Sequence, residues 1–194
     1  VSVQRASQSL GGANAVALVD ARDALDVENF EPTGDIEETD NGRQIVISRE
    51  LPQAPKVVWG YLADAARISR WFGHCHTMDN PSHMTMVSEE IQSTYDVNIA
   101  ESMPPHFLHL EVNDHQGHDL NLRFYLAEVN GQTYLEFHHS VEGVEDQVGL
   151  IAPKWELILD RLEIALDGGD INDVCLANYS CQSAHYSDAG AAHH

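Results

Sequence analysis

Basic residues are scarce in this chain. Ten Lys and Arg stand against 31 Asp and Glu in 194 residues, a formal net charge of -21. Such a surface repels phosphate backbones and anionic headgroups, so neither nucleic acid nor a membrane is an expected partner. Long apolar runs are also missing. None approaches the ~18 residues of a membrane span, and the first residues show no basic-then-apolar leader pattern. The expectation is a soluble, cytoplasmic protein. Cysteine is limited to Cys75, Cys175 and Cys181, whose spacing fits neither a metal knuckle nor a redox pair, so free thiols are expected. Also absent are a nucleophile motif, a Gly-rich phosphate loop and a zinc-ligand spacing. On that basis no catalytic residue, no metal and no cofactor is assigned.

What is present is the composition of a globular domain, 43% hydrophobic and 21% charged. Residues 1–33 read as a partly ordered extension, with one amphipathic helix over Ala15–Val27 and a linker at Glu31-Pro32-Thr33-Gly34. A folded domain is expected over residues 34–169, and residues 170–194 read as a polar, small-residue tail. Asp40-Asn41-Gly42 is a tight-turn signal, followed by a β-branched strand from Gln44 to Leu51. Pro52 and Pro55 end that strand. Two short helices follow, about Lys56–Asp64 and Ala66–Phe72, with Pro55 suited to the first helical turn.

After Gly73 the hydrophobic period switches to two. Strands are predicted over Ser82–Glu89, Gln92–Ser102, His106–Asn113, His118–Val129 and Gln132–Val141, with His74–Met78 as a further candidate. Asn130-Gly131 fixes the last hairpin, because Asn-Gly supplies the positive φ angles of a two-residue loop. Val129 then faces Gln132. Counting outward pairs Leu126 with Leu135, Phe124 with Phe137 and Leu122 with His139 on one apolar side. The other side pairs Ala127 with Tyr134, Tyr125 with Glu136 and Arg123 with His138. A slip of one residue would mix the two faces. A long helix is predicted over Val144–Asp167, with Trp155, Leu159, Leu162 and Leu166 as its apolar stripe. Pro153 marks the start of its well-formed part or a kink. Gly168-Gly169 stops it.

One strand, two short helices, a run of antiparallel strands and one striped helix define an α+β helix-grip fold. The long C-terminal helix is the one element large enough to cover the apolar face of a curved sheet. A straight helix on a curved sheet leaves room for a cavity. The chain also resembles the START-like superfamily, known too as SRPBCC or birch-pollen-allergen-like. Within it, the chain is similar to the branch around the C-terminal domain of the activator of heat-shock-protein-90 ATPase. The residues that carry this are Leu51-Pro52-Gln53-Ala54-Pro55 before Val58-Trp59, then Leu62-Ala63-Asp64, Ile68 and Trp71-Phe72-Gly73. Pro104-Pro105, Trp155 and Leu159-Asp160-Arg161-Leu162 complete the set, which spans about residues 34–169. Lys154 stands where such proteins often have Gly. The resemblance implies a hydrophobic cavity and, more loosely, an activity, because members bind lipids, bind chaperones or cyclise polyketides.

The candidate ligand pocket is Trp71, Phe72, Leu122, Phe124, Phe137, His139, Trp155 and Leu159. The aromatics give apolar contact. His139 stands on the apolar side of its hairpin, where a buried imidazole needs a partner and can orient a ligand's polar group. His74 and His76 share a strand face but are read as surface histidines, and His115 and His118 as solvated turn residues. The expected partner is a small or medium hydrophobic molecule. Two alternatives are a regulator of the heat-shock-90 chaperone acting by protein–protein contact, and a cyclase or hydrolase using His139. Activator proteins usually pair this domain with a separate N-terminal one, for which residues 1–33 are too short, and this ranks the chaperone reading second. The assembly is expected to be a monomer or a homodimer.

Overall fold

A computed structural model describes residues 28–40, 42–80 and 82–191. The predicted helix over residues 15–27 and the central Asn41 of the first turn lie outside the described residues. Eight strands form one antiparallel sheet: β1 (Asp35–Thr39), β2 (Gly42–Leu51), β3 (His74–Thr77), β4 (His83–Ser88), β5 (Ser93–Met103), β6 (Phe107–Asn113), β7 (Asp119–Val129) and β8 (Gln132–Ser140). Their order across the sheet is β1-β2-β8-β7-β6-β5-β4-β3. Helices α1 (Pro55–Ala63) and α2 (Ala65–Ile68) lie between β2 and β3, and the long α3 spans Val148–Leu166. The fold is the expected α+β helix-grip.

The β7–β8 hairpin has the register that the Asn130-Gly131 turn predicts. Leu122 faces His139, Phe124 faces Phe137 and Leu126 faces Leu135, while Arg123, Tyr125 and Ala127 face His138, Glu136 and Tyr134. Asn130 and Gly131 have φ of 55° and 81°, as a two-residue hairpin turn of this hand requires. Between Ile99 and Glu101 the pairing of β5 with β6 shifts register. A bulge of this kind bends a strand and raises its twist, which helps the sheet curl around the helix.

Helices α1 and α2 close one end of the grip with buried Val58, Leu62 and Ile68, followed by Trp71 and Phe72. The Trp71 indole N–H donates to the carbonyl of Tyr61 at 2.9 Å. Gly73 has φ of 143°, and a Cβ there would meet the Val87 carbonyl oxygen at 2.2 Å, so only glycine fits where the chain enters the edge strand β3.

Helix α3 departs from the expected one-sided stripe. It begins at Val148 after a short 3-10 turn and runs through Pro153. Leu157, Ile158, Leu159 and Leu162 are buried, but so are Glu156 and Arg161. The reason is the segment after Gly169. In place of an open tail, it forms 3-10 turns over Ile171–Asp173 and Leu176–Gln182, then helix α4 (Ser183–Ala191), and packs on the back of α3. Gly149 lets α4 come close, because a Cβ there would lie 2.1 Å from the Ser187 hydroxyl. Tyr179, Gln182 and Tyr186 are each 1% exposed or less in this layer. A helix covered on both faces has no solvated stripe to advertise its orientation.

One polar cluster joins these layers. Arg49 has the parity of Ile45, Ile47 and Leu51 on β2, and so points from the apolar face toward α3. Its Nη2 donates to Glu156 at 2.8 Å and to Asp160 at 2.7 Å. The other Glu156 oxygen accepts from the Thr33 and Gly34 backbone N–H groups, at 2.7 and 2.9 Å, and from the Tyr186 hydroxyl. Thr33 Oγ1 donates to Glu156 at 2.6 Å and accepts from Arg49 Nη1 at 2.6 Å. The Tyr179 hydroxyl donates to Asp160 at 2.6 Å. Burial alone would raise the Glu156 pKa, but the bonds from Thr33, Tyr186 and Arg49 outweigh it and hold the carboxyl below its ordinary 4.5. The residues that read as a linker, Thr33 and Gly34, are therefore anchored to the helix.

Arg49→Met leaves the Glu156 carboxylate buried without its cation and is expected to cost about 3–5 kcal/mol in chemical denaturation. The Arg49→Met/Glu156→Leu pair should cost less than the sum of the single changes. Because Glu156 titrates lower when folded, its contribution is complete above pH 4.5 and is lost as pH falls below it. Glu156→Gln should flatten the stability profile in that acid range.

Candidate functional site

Among the described residues, two internal spaces lie between the sheet and the helices. The first lies under α1, α2 and the centre of the sheet and is walled by Trp71, Phe72, Met84, Met86, Leu122, Phe124, Tyr95 and Trp155. Its volume is about 30 Å³. That is room for about one water, and an apolar wall keeps it dry. The second opens at the N-terminal end of α3 and has a volume of about 180 Å³. Its walls come from β5 (Ser93, Tyr95), the β6–β7 turn and the start of β7 (Asp114, Gln116, His118, Leu120), β8 (His139) and the segment from Val144 to Trp155. A broader open groove of about 750 Å³ runs along the sheet margin by Asp96, Asn98, Glu111 and Asn121, but no buried, unpartnered polar atom lines it.

His139 sets the chemistry of the second space. The register places it on the concave face of β8, and its ring is 1% exposed. Neither ring nitrogen has a hydrogen-bond partner among the described residues. Its neighbours are rings: Trp155 at 6.0 Å and 89°, and Phe137 at 6.5 Å and 72°. Burial lowers its pKa from 6.5 to about 4, so the imidazole is neutral near pH 7. A neutral imidazole offers one N–H and one lone pair. Leaving both unused in the protein interior costs free energy.

Ser93, Asp114, Gln116, His118, Gln147 and Lys154 are the further polar residues that line this space. His118 Nδ1 meets Asp114 Oδ2 at 2.7 Å. Burial raises the Asp114 pKa, but hydrogen bonds from His118 and Gln116 more than offset this and leave it lowered. Tyr95 is 8% exposed, and burial pushes its phenol upward. Its ring stacks on Trp155 at 6.3 Å with 10° between planes. This pair lines both spaces and separates them.

The residues expected to form one pocket are thus distributed over the two spaces and the core. Trp71, Phe72, Leu122 and Phe124 surround the small void, Trp155 borders both spaces, and His139 faces the larger one. Phe137 and Leu159 are 0% and 1% exposed, and neither lines these two spaces. Phe137 is core, in contact with Phe124 at 5.1 Å and Trp155 at 4.6 Å. Sequence reasoning missed Tyr95, Asp114 and Lys154. The parity of Tyr95 with Val97 is a visible signal that it faces inward, whereas a turn aspartate carries none. His118, read as solvated, is half-buried against Asp114. His74 and His76 are exposed on β3, His115 is exposed beside Asp96, and His109 meets Asn121 at 3.0 Å. Among the described residues there is no group of three or more His, Cys, Asp or Glu able to hold a metal ion. None of the described helices is long and apolar enough to cross a membrane.

A curled antiparallel sheet gripping one long helix, with cavities between them, defines a START-like helix-grip domain. Residues 52–167 match the family described as "Activator of Hsp90 ATPase homolog 1-like protein", and the chain belongs to that family. Solved structures agree on the fold. CalU16 from Micromonospora echinospora is 22% identical, with a TM-score of 0.61 over 82% of this chain and 94% of that one. The Aha1 dimer from Colwellia psychrerythraea is 16% identical, with a TM-score of 0.56 over 65% of this chain and 97% of that one. A conserved protein of unknown function, EF2215 from Enterococcus faecalis, is 14% identical, with a TM-score of 0.55 over 88% of this chain and 93% of that one. No curated protein sequence matches the chain.

A histidine buried neutral makes stability fall with acid. The contribution is complete above pH 6.5, the unfolded value, and is lost as pH drops from 6.5 toward about 4. His139→Leu should flatten denaturation midpoints across that window and raise stability at pH 5. An unchanged slope would show that His139 has a partner in the folded protein.

Proposed function

We propose that this protein is a binding module for a small ligand with an apolar body and one hydrogen-bonding group. The ligand would sit in the 180 Å³ cavity at the N-terminal end of α3. The observation that carries the reading is His139, fully buried with both ring nitrogens unpartnered, at the edge of a cavity lined by Trp155, Tyr95 and aliphatic side chains together with Ser93, Asp114, Gln116, His118, Gln147 and Lys154. A binding site combines apolar contacts with placed polar ones, and this lining offers both. The smaller void supports a limited role for Trp71, Phe72, Leu122 and Phe124. They shape the core beneath the site, and contact a ligand only if the Tyr95–Trp155 partition moves. No other described side chain within hydrogen-bond reach of His139 could complete a proton relay, so nothing favours a cyclase or hydrolase over binding.

The second reading is regulation of a chaperone by protein–protein contact. The family match supports it, since the family is described by Hsp90 activators. It would use the outer surface and not the cavity. The acidic net charge of -21 would favour a basic patch on the partner.

Native mass spectrometry of the gently purified chain, compared with its denatured mass, separates the two readings. A bound compound that is lost on denaturation, and absent from His139→Leu, is the expected result. A clean mass in every preparation, together with a chaperone ATPase rate that rises on adding the chain, would favour the second reading.

A further inference from the structure

We propose that the space at the N-terminal end of α3 is a site for a small monocarboxylate with an apolar body, and that Lys154 takes its carboxylate. The inference rests on reading this cavity as the binding site and names its ligand chemistry.

The two sides of the space differ in how their polar groups are used. On the sheet side, Asp114 is fully engaged. Its Oδ1 accepts from the Gln116 and His118 backbone N–H groups at 2.8 and 3.1 Å, and its Oδ2 meets His118 Nδ1 at 2.7 Å. On the helix side, Gln147, Leu150 and Lys154 follow one another at steps of three and four residues, and so line the space from one face of α3. Gln147 stands at the N-terminal cap of α3, and its side chain makes no capping bond. Lys154 is half-buried, and it takes part in none of the ion pairs among the described residues. By contrast, the buried cations Arg49 and Arg161 each pair with a carboxylate.

Charge and direction make this helix side an anion's side. Helical side chains lean toward the N-terminus, so Lys154 extends over the turn of Leu150 and Ile151 toward the open end of the space. The positive end of the α3 dipole lies at the same end. The titratable groups facing the space are Tyr95, Asp114, His118, His139 and Lys154. Burial pushes the Tyr95 phenol upward and it stays neutral. His139 is neutral near pH 7, and both its ring nitrogens are buried, so it supplies no charge. Lys154 is the one lysine or arginine among the lining residues. A carboxylate beside it gains a charge-assisted hydrogen bond that an alcohol gains only in part.

The apolar body follows from the rest of the lining. Leu120, Val144, Leu150, Ile151 and Trp155 wall the space between its polar groups. Leu150 is 67% exposed, the most of any large apolar side chain described, and an apolar body entering here covers it. A protein cavity of about 150 Å³ accepts benzene, and this one has about 180 Å³. A body of about six carbons therefore fits.

Calorimetric titration of the full chain with hexanoate, 1-hexanol, hexylamine and acetate tests this directly. Hexanoate should bind one to one, about tenfold tighter than hexanol, the worth of a hydrogen bond to a charged group. Acetate, which keeps the head and loses the body, should bind about a hundredfold weaker than hexanoate. Lys154→Met keeps an apolar stem without the charge, and should bring hexanoate to the level of hexanol while leaving hexanol unchanged. Lys154→Glu should invert the order, with hexylamine tighter than hexanoate. Circular dichroism of each variant confirms that it is folded. Hexanoate binding no better than hexanol, or unaffected in folded Lys154→Met, overturns the proposal. So does hexylamine binding wild type more tightly than hexanoate. If hexanol binds as well as hexanoate and Leu150→Asn weakens both, the ligand class is wrong and the binding site stands. If no probe binds and no compound is seen by native mass spectrometry, both readings fall.

Discussion

The fold turns on a carboxylate that has been taken out of water. Glu156 sits in the middle of α3, 1% exposed, where an unmatched charge would be prohibitive. It is matched by groups from three separate stretches of chain: Arg49 from β2, Thr33 and Gly34 from the segment before β1, and Tyr186 from α4. Each of those elements is thereby held against the same turn of the helix. Apolar packing lets α3 lie on the sheet at many rotations, and a fully satisfied ionic cluster selects one. The rotation it selects turns Trp155 toward the sheet, against Phe137 and Tyr95.

The two sides of α3 are thus opposite in character. Glu156 and Asp160 face a layer where all four of their carboxylate oxygens are paired, although Arg161 Nε and Gln182 Oε1 there have no partner. One position earlier, Trp155 faces a cavity in which His139 has no partner. A protein interior tolerates few such orphans, and they concentrate where something else binds or reacts. The rigid cluster on the back of the helix offsets the looseness on its front, because it fixes Trp155 and so keeps the cavity from collapsing onto the imidazole.

Much of this was legible in the sequence. Asn130-Gly131 and the alternation on either side of it fixed the hairpin register to the residue, and with it the burial of His139. The two short helices before β3 were equally readable, whereas the one-sided stripe expected on α3 did not form, because the layer after Gly169 covers its other face. The layer after Gly169 was not, because small and polar residues such as Ser183, Ala184 and Ser187 carry no amphipathic pattern, and their packing depends on Gly149 offering space. Arg49 did carry a signal, a charge at an apolar parity between Ile47 and Leu51. Its carboxylate partners are more than a hundred residues away, and no local rule finds them. The extent of a pocket is hidden in a sequence for a related reason. Periodicity says which side chains face inward, and it does not say how completely they fill the space they face. Phe137 and Leu159 fill theirs.

The account depends on His139 being buried, neutral and without a protein partner. Long-range proton–nitrogen NMR of its ring, followed from pH 7.5 to pH 4, reads all three at once. The account predicts nitrogen shifts of a neutral imidazole throughout most of that range, titrating near pH 4. A ring that titrates near the ordinary 6.5, or that shows a strong hydrogen bond at both nitrogens without added ligand, would contradict it.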